Sequence, residues 1–173
     1  MLPALSLGLN GTGTAQVISA EGFGPKLQLG GGGAFQLGIP ILDWLDLEVS
    51  LGILGLAPSD ASGGFTYRGL CGGSLGVGAE ASATIGSSDT LGTLQAGGGL
   101  GLAAALARYE YTTLYFFYPE IRASGFVEYH PAFLPALGVR LSIPVSVQLR
   151  RDVDYAVVMG FGLGVSWRFG AAE

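Results

Sequence analysis

The residues of this sequence most suited to chemistry are ten acidic and basic residues set within apolar or glycine-rich segments, several of them two positions apart. Alternate side chains of a β-strand project from the same face of its sheet. Glu128 and Arg140 flank one short predicted turn almost symmetrically, so we expect them to be neighbours on adjacent strands. If that face is buried, its charges must be paired, because an unpaired buried ion is costly. The ten residues are Asp46, Glu48, Glu80, Glu128, Arg140, Arg168, Arg68, Glu120, Arg122 and Arg150.

Catalysis and metal binding find little support in the remaining residues. His130 is the single histidine and precedes Pro131 at a predicted turn, where no serine and acid form a credible nucleophilic triad with it. The one cysteine, Cys71, excludes an internal disulfide and a cysteine-based zinc cluster. The glycines at 30–33 lack the lysine and the following helix of a phosphate-binding loop. We therefore predict no enzyme activity, no metal site and no cofactor.

Composition indicates that much of the surface contacts something other than water. Hydrophobic residues make up 49% of the chain, charged residues only 12%, and the mean hydropathy is +0.50, whereas about a quarter of the residues of a soluble domain are charged. The longest apolar run, 96–107, is shorter than the roughly 20 residues of a membrane-spanning helix. A closed β-barrel is the other way to place backbone in lipid. The net charge of −5 comes with dispersed basic residues, which argues against nucleic-acid binding.

An alternation with period two predicts eight strands within one domain covering residues 1–173. An even number of strands returns both termini to the same side, which is the periplasm in outer-membrane barrels. The turns at 39–44, 86–91 and 130–136 would then be periplasmic, and the loops at 12–25, 58–67, 110–114 and 151–154 would lie outside. The predicted strands are 4–11, 26–38, 45–57, 68–85, 93–109, 115–129, 137–150 and 157–169.

The two faces of these strands differ enough to predict which one is inside. One face is large and apolar, and the other consists mostly of Gly, Ala and Ser with a few ions. A soluble barrel would expose a face rich in charged and polar residues, whereas small residues suit the narrow interior of an eight-stranded barrel. The apolar face should therefore contact lipid, and a soluble lipocalin-like carrier is the alternative.

Aromatic residues cluster near both ends of the predicted strands, as expected for two interfacial belts. Near the periplasmic ends lie Phe35, Trp44, Tyr129, Phe133, Trp167 and Phe169; near the outer ends lie Phe65, Tyr67, Tyr109, Tyr111, Tyr115, Phe116, Phe117, Tyr118 and Tyr155.

The last strand ends in Gly164-Val165-Ser166-Trp167-Arg168-Phe169, a glycine followed by two alternating aromatics. This ending resembles the C-terminal sorting signal of bacterial outer-membrane β-barrels, with Gly164, Trp167 and Phe169 as the assembly signal. The whole chain resembles the small eight-stranded OmpW, OmpX and OmpA-transmembrane type. The resemblance implies a monomer in the bacterial outer membrane. No secretory signal precedes Leu2, so we expect the chain to be the mature form. The resemblance also implies contact with outer-membrane lipid and lipopolysaccharide, and insertion by the outer-membrane assembly machinery.

Two further features of the inner face leave alternatives open. Leu54, Leu56, Leu70 and Phe126 interrupt the polar face, either as packing or as an apolar pocket of the kind that the OmpW resemblance implies for hydrophobic solutes. Pro144 lacks the N–H that a central strand needs, so it marks either a bulge or a weak seam in the wall.

These observations predict two functions of different classes. The first is a narrow, porin-like channel or binding barrel for passive uptake of small, in part hydrophobic, solutes, with the charged cluster as a selective constriction. The second is a structural, surface-interaction or adhesion barrel, in which the same cluster forms a salt-bridged plug and nothing is transported.

Overall fold

Eight long antiparallel strands close into a barrel in a computed structural model that describes residues 5–20, 23–60, 66–67, 69–109, 113–151 and 153–170. Two short strands form a separate hairpin, β4 with β5. Around the ring the order is β1-β2-β3-β6-β7-β8-β9-β10, so each long strand pairs with its neighbours along the chain and β10 closes on β1. The strands are β1 Leu5–Ala20, β2 Phe23–Leu42, β3 Leu45–Leu56, β4 Ser59–Asp60, β5 Thr66–Tyr67, β6 Leu70–Ser88, β7 Gly92–Tyr109, β8 Tyr115–Pro131, β9 Leu137–Gln148 and β10 Tyr155–Phe169.

This up-and-down arrangement confirms the predicted all-β, eight-stranded fold. The first predicted loop is nevertheless wrong, because residues 12–20 continue β1 and pair with both β10 and β2. Thr12, Thr14 and Gln16 keep the inward alternation, and pairing on two sides outweighs the poor strand preference of the intervening glycines. β2 is correspondingly longer than predicted at both ends. At the other end of the chain, β9 stops at Gln148, so Arg150 lies in the following connection.

The exterior of the barrel is apolar and its interior is polar. Ile53 and Leu100 are 71% and 73% exposed, whereas Gln16 and Gln148 are 0% and 2% exposed. This inverts the arrangement of a soluble domain and suits a wall surrounded by hydrocarbon, in which closure also pairs every strand edge. No helix in the described part of the chain is long and apolar enough to cross a membrane.

The aromatic residues follow the predicted belts only in part. Phe133, Trp167 and Phe169 are exposed near the inner ends of the strands, as are Phe35, Trp44 and Tyr129. At the outer ends Tyr115, Phe117 and Tyr155 are exposed. Tyr109, Phe116 and Tyr118 instead lie inside the barrel, because their positions have the same parity as the inward residues of β7 and β8. The side chains of Phe65, Tyr67 and Tyr111 lie outside the described part of the structure.

Candidate functional site in the lumen

Arg140 on β9 is the centre of a layer of side chains across the inner half of the lumen. Its Nη1 and Nη2 donate to the two carboxylate oxygens of Glu80 on β6, at 2.8 and 2.5 Å. Nη1 also lies 4.0 Å from Oε2 of Glu128, its direct register neighbour on β8. The guanidinium carbon sits 3.6 Å from the centre of the Phe126 ring, a cation–π distance. The predicted Glu128 and Arg140 neighbours are thus adjacent, but the bidentate partner of Arg140 is Glu80.

Glu128 connects this layer to β10 and to the turn after β8. Ser166 Oγ donates to Glu128 Oε1 at 2.5 Å, and His130 Nε2 lies 3.2 Å from the same oxygen. His130 is buried, and its Nδ1 lies 3.2 Å from the Pro135 carbonyl oxygen. The carboxylate, not the imidazole, contacts the serine hydroxyl. This order differs from a nucleophilic triad, in which the imidazole must accept the serine proton.

Uncharged amides complete the inner layer, and sequence reasoning did not single them out. Asn10 on β1 donates to Gln36 on β2. Arg168 donates to Gln95 at 2.9 Å. The signal that could have found these amides is the alternation of their strands, because Asn10, Gln36 and Gln95 all lie on the face of small residues and not on the apolar face.

Asp46 and Glu48 also face the inner half of the lumen. Asp46 is the register partner of Glu80. Glu48, Glu80 and Gln36 line the same cavity. In the described residues, no group of three or more His, Cys, Asp and Glu side chains has an arrangement that could hold a metal ion.

A second layer crosses the outer half of the lumen as a chain of hydrogen bonds. Gln16 on β1 donates to Gln148 on β9 at 2.7 Å, and Gln148 donates to Glu120 on β8 at 3.1 Å. Arg122 donates to Glu120 at 2.9 and 2.7 Å and to Ser74 on β6 at 2.6 Å. Gln16, Gln148 and Glu120 are all almost completely buried. The chain therefore links side chains of four strands across the interior.

An apolar cluster packs beside this chain at the outer end. Leu56, Leu70 and Tyr118 are buried there with Ala105 and Ala107, and Leu54 and Phe116 pack against them. Arg150 donates to the Tyr109 hydroxyl and lies 5.1 to 5.8 Å from the centres of three rings, those of Tyr109, Phe116 and Tyr118.

The predicted apolar pocket is therefore divided. Leu54, Leu56 and Leu70 belong to the outer cluster. Phe126 lies in the inner layer, beneath the Arg140 guanidinium. The charged residues are likewise split between the two layers, and Arg68 lies outside the described residues.

A cavity of about 210 Å³, which we call the chamber, lies in the middle of the barrel and is lined by residues of both layers. A smaller cavity of about 50 Å³ lies on the inner side of the Arg140 layer. Five residues line both cavities and therefore lie at the boundary between them, and we call this set the partition. The partition consists of Asn10, Gln36, Glu48, Glu80 and Arg140.

Pro144 interrupts the wall of the chamber. The ladder between β9 and β10 runs to Val145 opposite Met159 and resumes at Ser142 opposite Gly162. Equal numbers of residues are skipped on both strands, so the register is unchanged and the bulge interpretation is wrong. The missing proline N–H removes a ladder contact without inserting a residue. Pro144 and Gly160 both line the chamber at this gap.

Replacing Glu120 with alanine should destabilise the barrel by about 1.5–3 kcal/mol, the usual contribution of hydrogen bonds to a charged group. The change removes the acceptor of both Arg122 and Gln148. Urea unfolding in lipid vesicles would measure the loss. Asp43→Ala, at an exposed turn, is the control and should change stability little; equal effects of the two variants would contradict the importance of the outer layer.

The sequence matches no protein-family model and no curated protein. Solved structures do share the fold. Neisserial surface protein A, NspA, superposes with a TM-score of 0.68 at 13% identity, over 96% of this chain and 99% of that one. Ail, the attachment invasion locus protein of Yersinia pestis, gives 0.56 at 14% identity, over 98% and 100%. The N-terminal β-barrel domain of Pseudomonas aeruginosa OprF gives 0.53 at 15% identity, over 94% and 97%. The chain therefore has the fold of the small eight-stranded outer-membrane β-barrels.

Proposed function

We propose that this barrel is a closed scaffold in the bacterial outer membrane that acts through its outer surface and transports nothing. The observation that carries the proposal is the partition, whose five residues lie at the boundary between the two cavities and are joined there by side-chain contacts between strands. The bidentate Arg140 and Glu80 contact lies within it. A solute crossing the lumen would have to break that contact.

The outer layer adds a second obstacle. Gln16, Gln148 and Glu120 form their chain on the other side of the chamber, where the apolar cluster also packs. Separating a buried ion pair without a replacement partner costs about 3–5 kcal/mol. Passage through the barrel requires both layers to open, which supports the plug rather than the selective constriction.

A role at the surface is consistent with the outer end of the barrel. Leu114, Tyr115 and Phe117 are strongly exposed there, and the β4–β5 hairpin lies in the connection between β3 and β6. Among proteins of the same fold, one is named an attachment invasion locus protein and has also been solved with the heparin analogue sucrose octasulfate. These names support, for this chain, an interaction role without catalysis.

The same proposal covers the membrane context of the barrel. We propose a monomer that contacts outer-membrane lipid and lipopolysaccharide. Trp167 and Phe169 project outward at the inner end of β10, where they are accessible for binding by the assembly machinery. Gly164, the third residue of the assembly signal, faces Asn10 in the lumen.

The chamber favours a second candidate, a barrel that binds a small solute. Its volume of about 210 Å³ is large enough for a small solute, and the interrupted ladder at Pro144 supports lateral entry of that solute through the barrel wall. Such binding would leave the partition closed, so it differs from transport along the barrel axis.

Solute uptake into liposomes would test the closed scaffold. Liposomes that contain the purified barrel should swell no faster in isosmotic solutions of small sugars and amino acids than liposomes without protein. A wide porin in the same lipid is the positive control. Swelling that depends on the amount of barrel would overturn the proposal and favour transport.

A further inference from the structure

A groove runs along the outer wall of the barrel near its outer end. It is a shallow, open depression that crosses β6 between β3 and the β7–β8 hairpin. Its floor consists of two small residues of β6, Gly73 and Cys71. Their register partners on β7 are Leu106 and Arg108. Large exposed side chains flank this floor, namely Leu51, Leu75, Leu106, Tyr115 and Phe117.

Arg108 gives the groove a charge at its outer end. It is exposed on β7, one residue before that strand ends, and it lines the groove beside Tyr115. Arg122, Arg140 and Arg168 project into the lumen instead. Among the described residues none forms a hydrogen bond or ion pair with Arg108.

An unpaired cation on the apolar outer wall of the barrel is energetically unfavourable. A charge within the hydrocarbon is costly, and a long arginine side chain relieves this cost by reaching toward the membrane interface. Because Arg108 lies at the outer end of β7, its guanidinium can reach the headgroup level of the outer leaflet. The groove continues below it toward Leu75, whose register partner Ala104 is four residues from Arg108. Four residues of strand span about 13 Å, so the groove offers apolar surface to part of an acyl chain.

We propose that this groove binds a phosphate-bearing lipid of the outer leaflet, with the phosphate on Arg108 and one acyl chain along Gly73 and Cys71. Guanidinium groups form strong charge-assisted hydrogen bonds with phosphate. The Tyr115 hydroxyl lies on the strand beside Arg108 and offers a further polar group. The site rests on the membrane placement and the outward direction of β7, and not on the closed lumen, so a conducting barrel would leave it intact.

Native mass spectrometry of barrels released from phosphatidylcholine nanodiscs doped with lipid A would test the site. Arg108→Gln should lower the fraction of barrel carrying lipid A about tenfold, as expected for the loss of about 1.4 kcal/mol of phosphate contact. The same variant should change binding of dephosphorylated lipid A little. Arg151→Gln, which removes an exposed loop cation, is the control and should bind as the wild type does.

A second variant tests the acyl-chain half of the site. A Cβ at Gly73 meets only the Gly52 carbonyl oxygen, at 3.5 Å, which is an ordinary contact. Gly73→Leu should therefore fold, fill the groove and reduce binding of both forms of lipid A. Gly125→Leu, on the outer face of β8 where a Cβ meets nothing within 4 Å, is the matched control. Equal lipid retention by all variants would overturn the site. A groove-dependent dimer in place of lipid adducts would overturn it as well, in favour of a second copy of the chain.

Discussion

Replacing Arg140 with alanine is expected to lower the free energy of unfolding of the barrel by about 3–5 kcal/mol, as for other buried ion pairs that lose one partner. Arg140 is bound by both oxygens of Glu80 and lies over Phe126. The substitution leaves the Glu80 carboxylate, whose side chain is only 15% exposed, without its bidentate partner. Urea unfolding in lipid vesicles, followed by tryptophan fluorescence, would measure the change.

Two further variants distinguish the effect of losing the Arg140 and Glu80 ion pair from the effect of losing any positive charge. Arg151→Ala removes an exposed cation of the last outer connection and should leave stability nearly unchanged. Arg140→Ala combined with Glu80→Ala should be less destabilising than the sum of the two single changes, because the double variant leaves no unpaired charge in that pair. An unchanged unfolding curve for Arg140→Ala would show that the inner layer contributes nothing to stability.

Replacing Gly32 with valine should destabilise the barrel by about 3 kcal/mol, at the upper end of typical overpacking costs. Gly32 faces the lumen on β2, and a Cβ there would lie 3.3 Å from Leu54 Cα and closer still to the Ile53 carbonyl oxygen. Both neighbours are backbone atoms of β3, so relief requires β2 and β3 to move apart. The same unfolding measurement would report the loss.

Gly13→Val is the matched control for Gly32→Val. Gly13 lies on the outer face of β1, and a Cβ there meets nothing within 4 Å. Valine also favours strands more than glycine does, so this variant should be as stable as the wild type or slightly more stable. If both variants lose stability equally, the close approach of β2 and β3 does not explain the glycine-rich inner face.

The fold could be predicted because alternation is a local signal. β9 and β10 show uninterrupted alternation, and the predicted start of β9 and end of β10 agree with the structure. β1 was predicted too short because glycine and threonine at 11–14 resemble a turn, whereas strand pairing on both sides keeps them extended. The β4–β5 hairpin has only two residues per strand, which are too few to show an alternation in the sequence.

The candidate site was predictable in its members but not in its pairing. Parity alone places Glu80, Glu128 and Arg140 on the inner face, yet the bidentate contact joins β6 to β9, which are not adjacent. Such a contact depends on the diameter of the lumen, and no sequence spacing encodes it. Gln16 and Gln148 were missed because uncharged amides give no electrostatic signal, although they close the outer layer.

The conductance of single purified barrels in a planar lipid bilayer tests the closed lumen most directly. With the partition intact, we expect no unitary current steps from the wild-type barrel under conditions in which a wide porin conducts. The Arg151→Ala control should behave in the same way. Reproducible unitary steps from the wild type, with a size that changes in Arg140→Ala, would contradict the closed scaffold and identify the Arg140 layer as a conducting constriction.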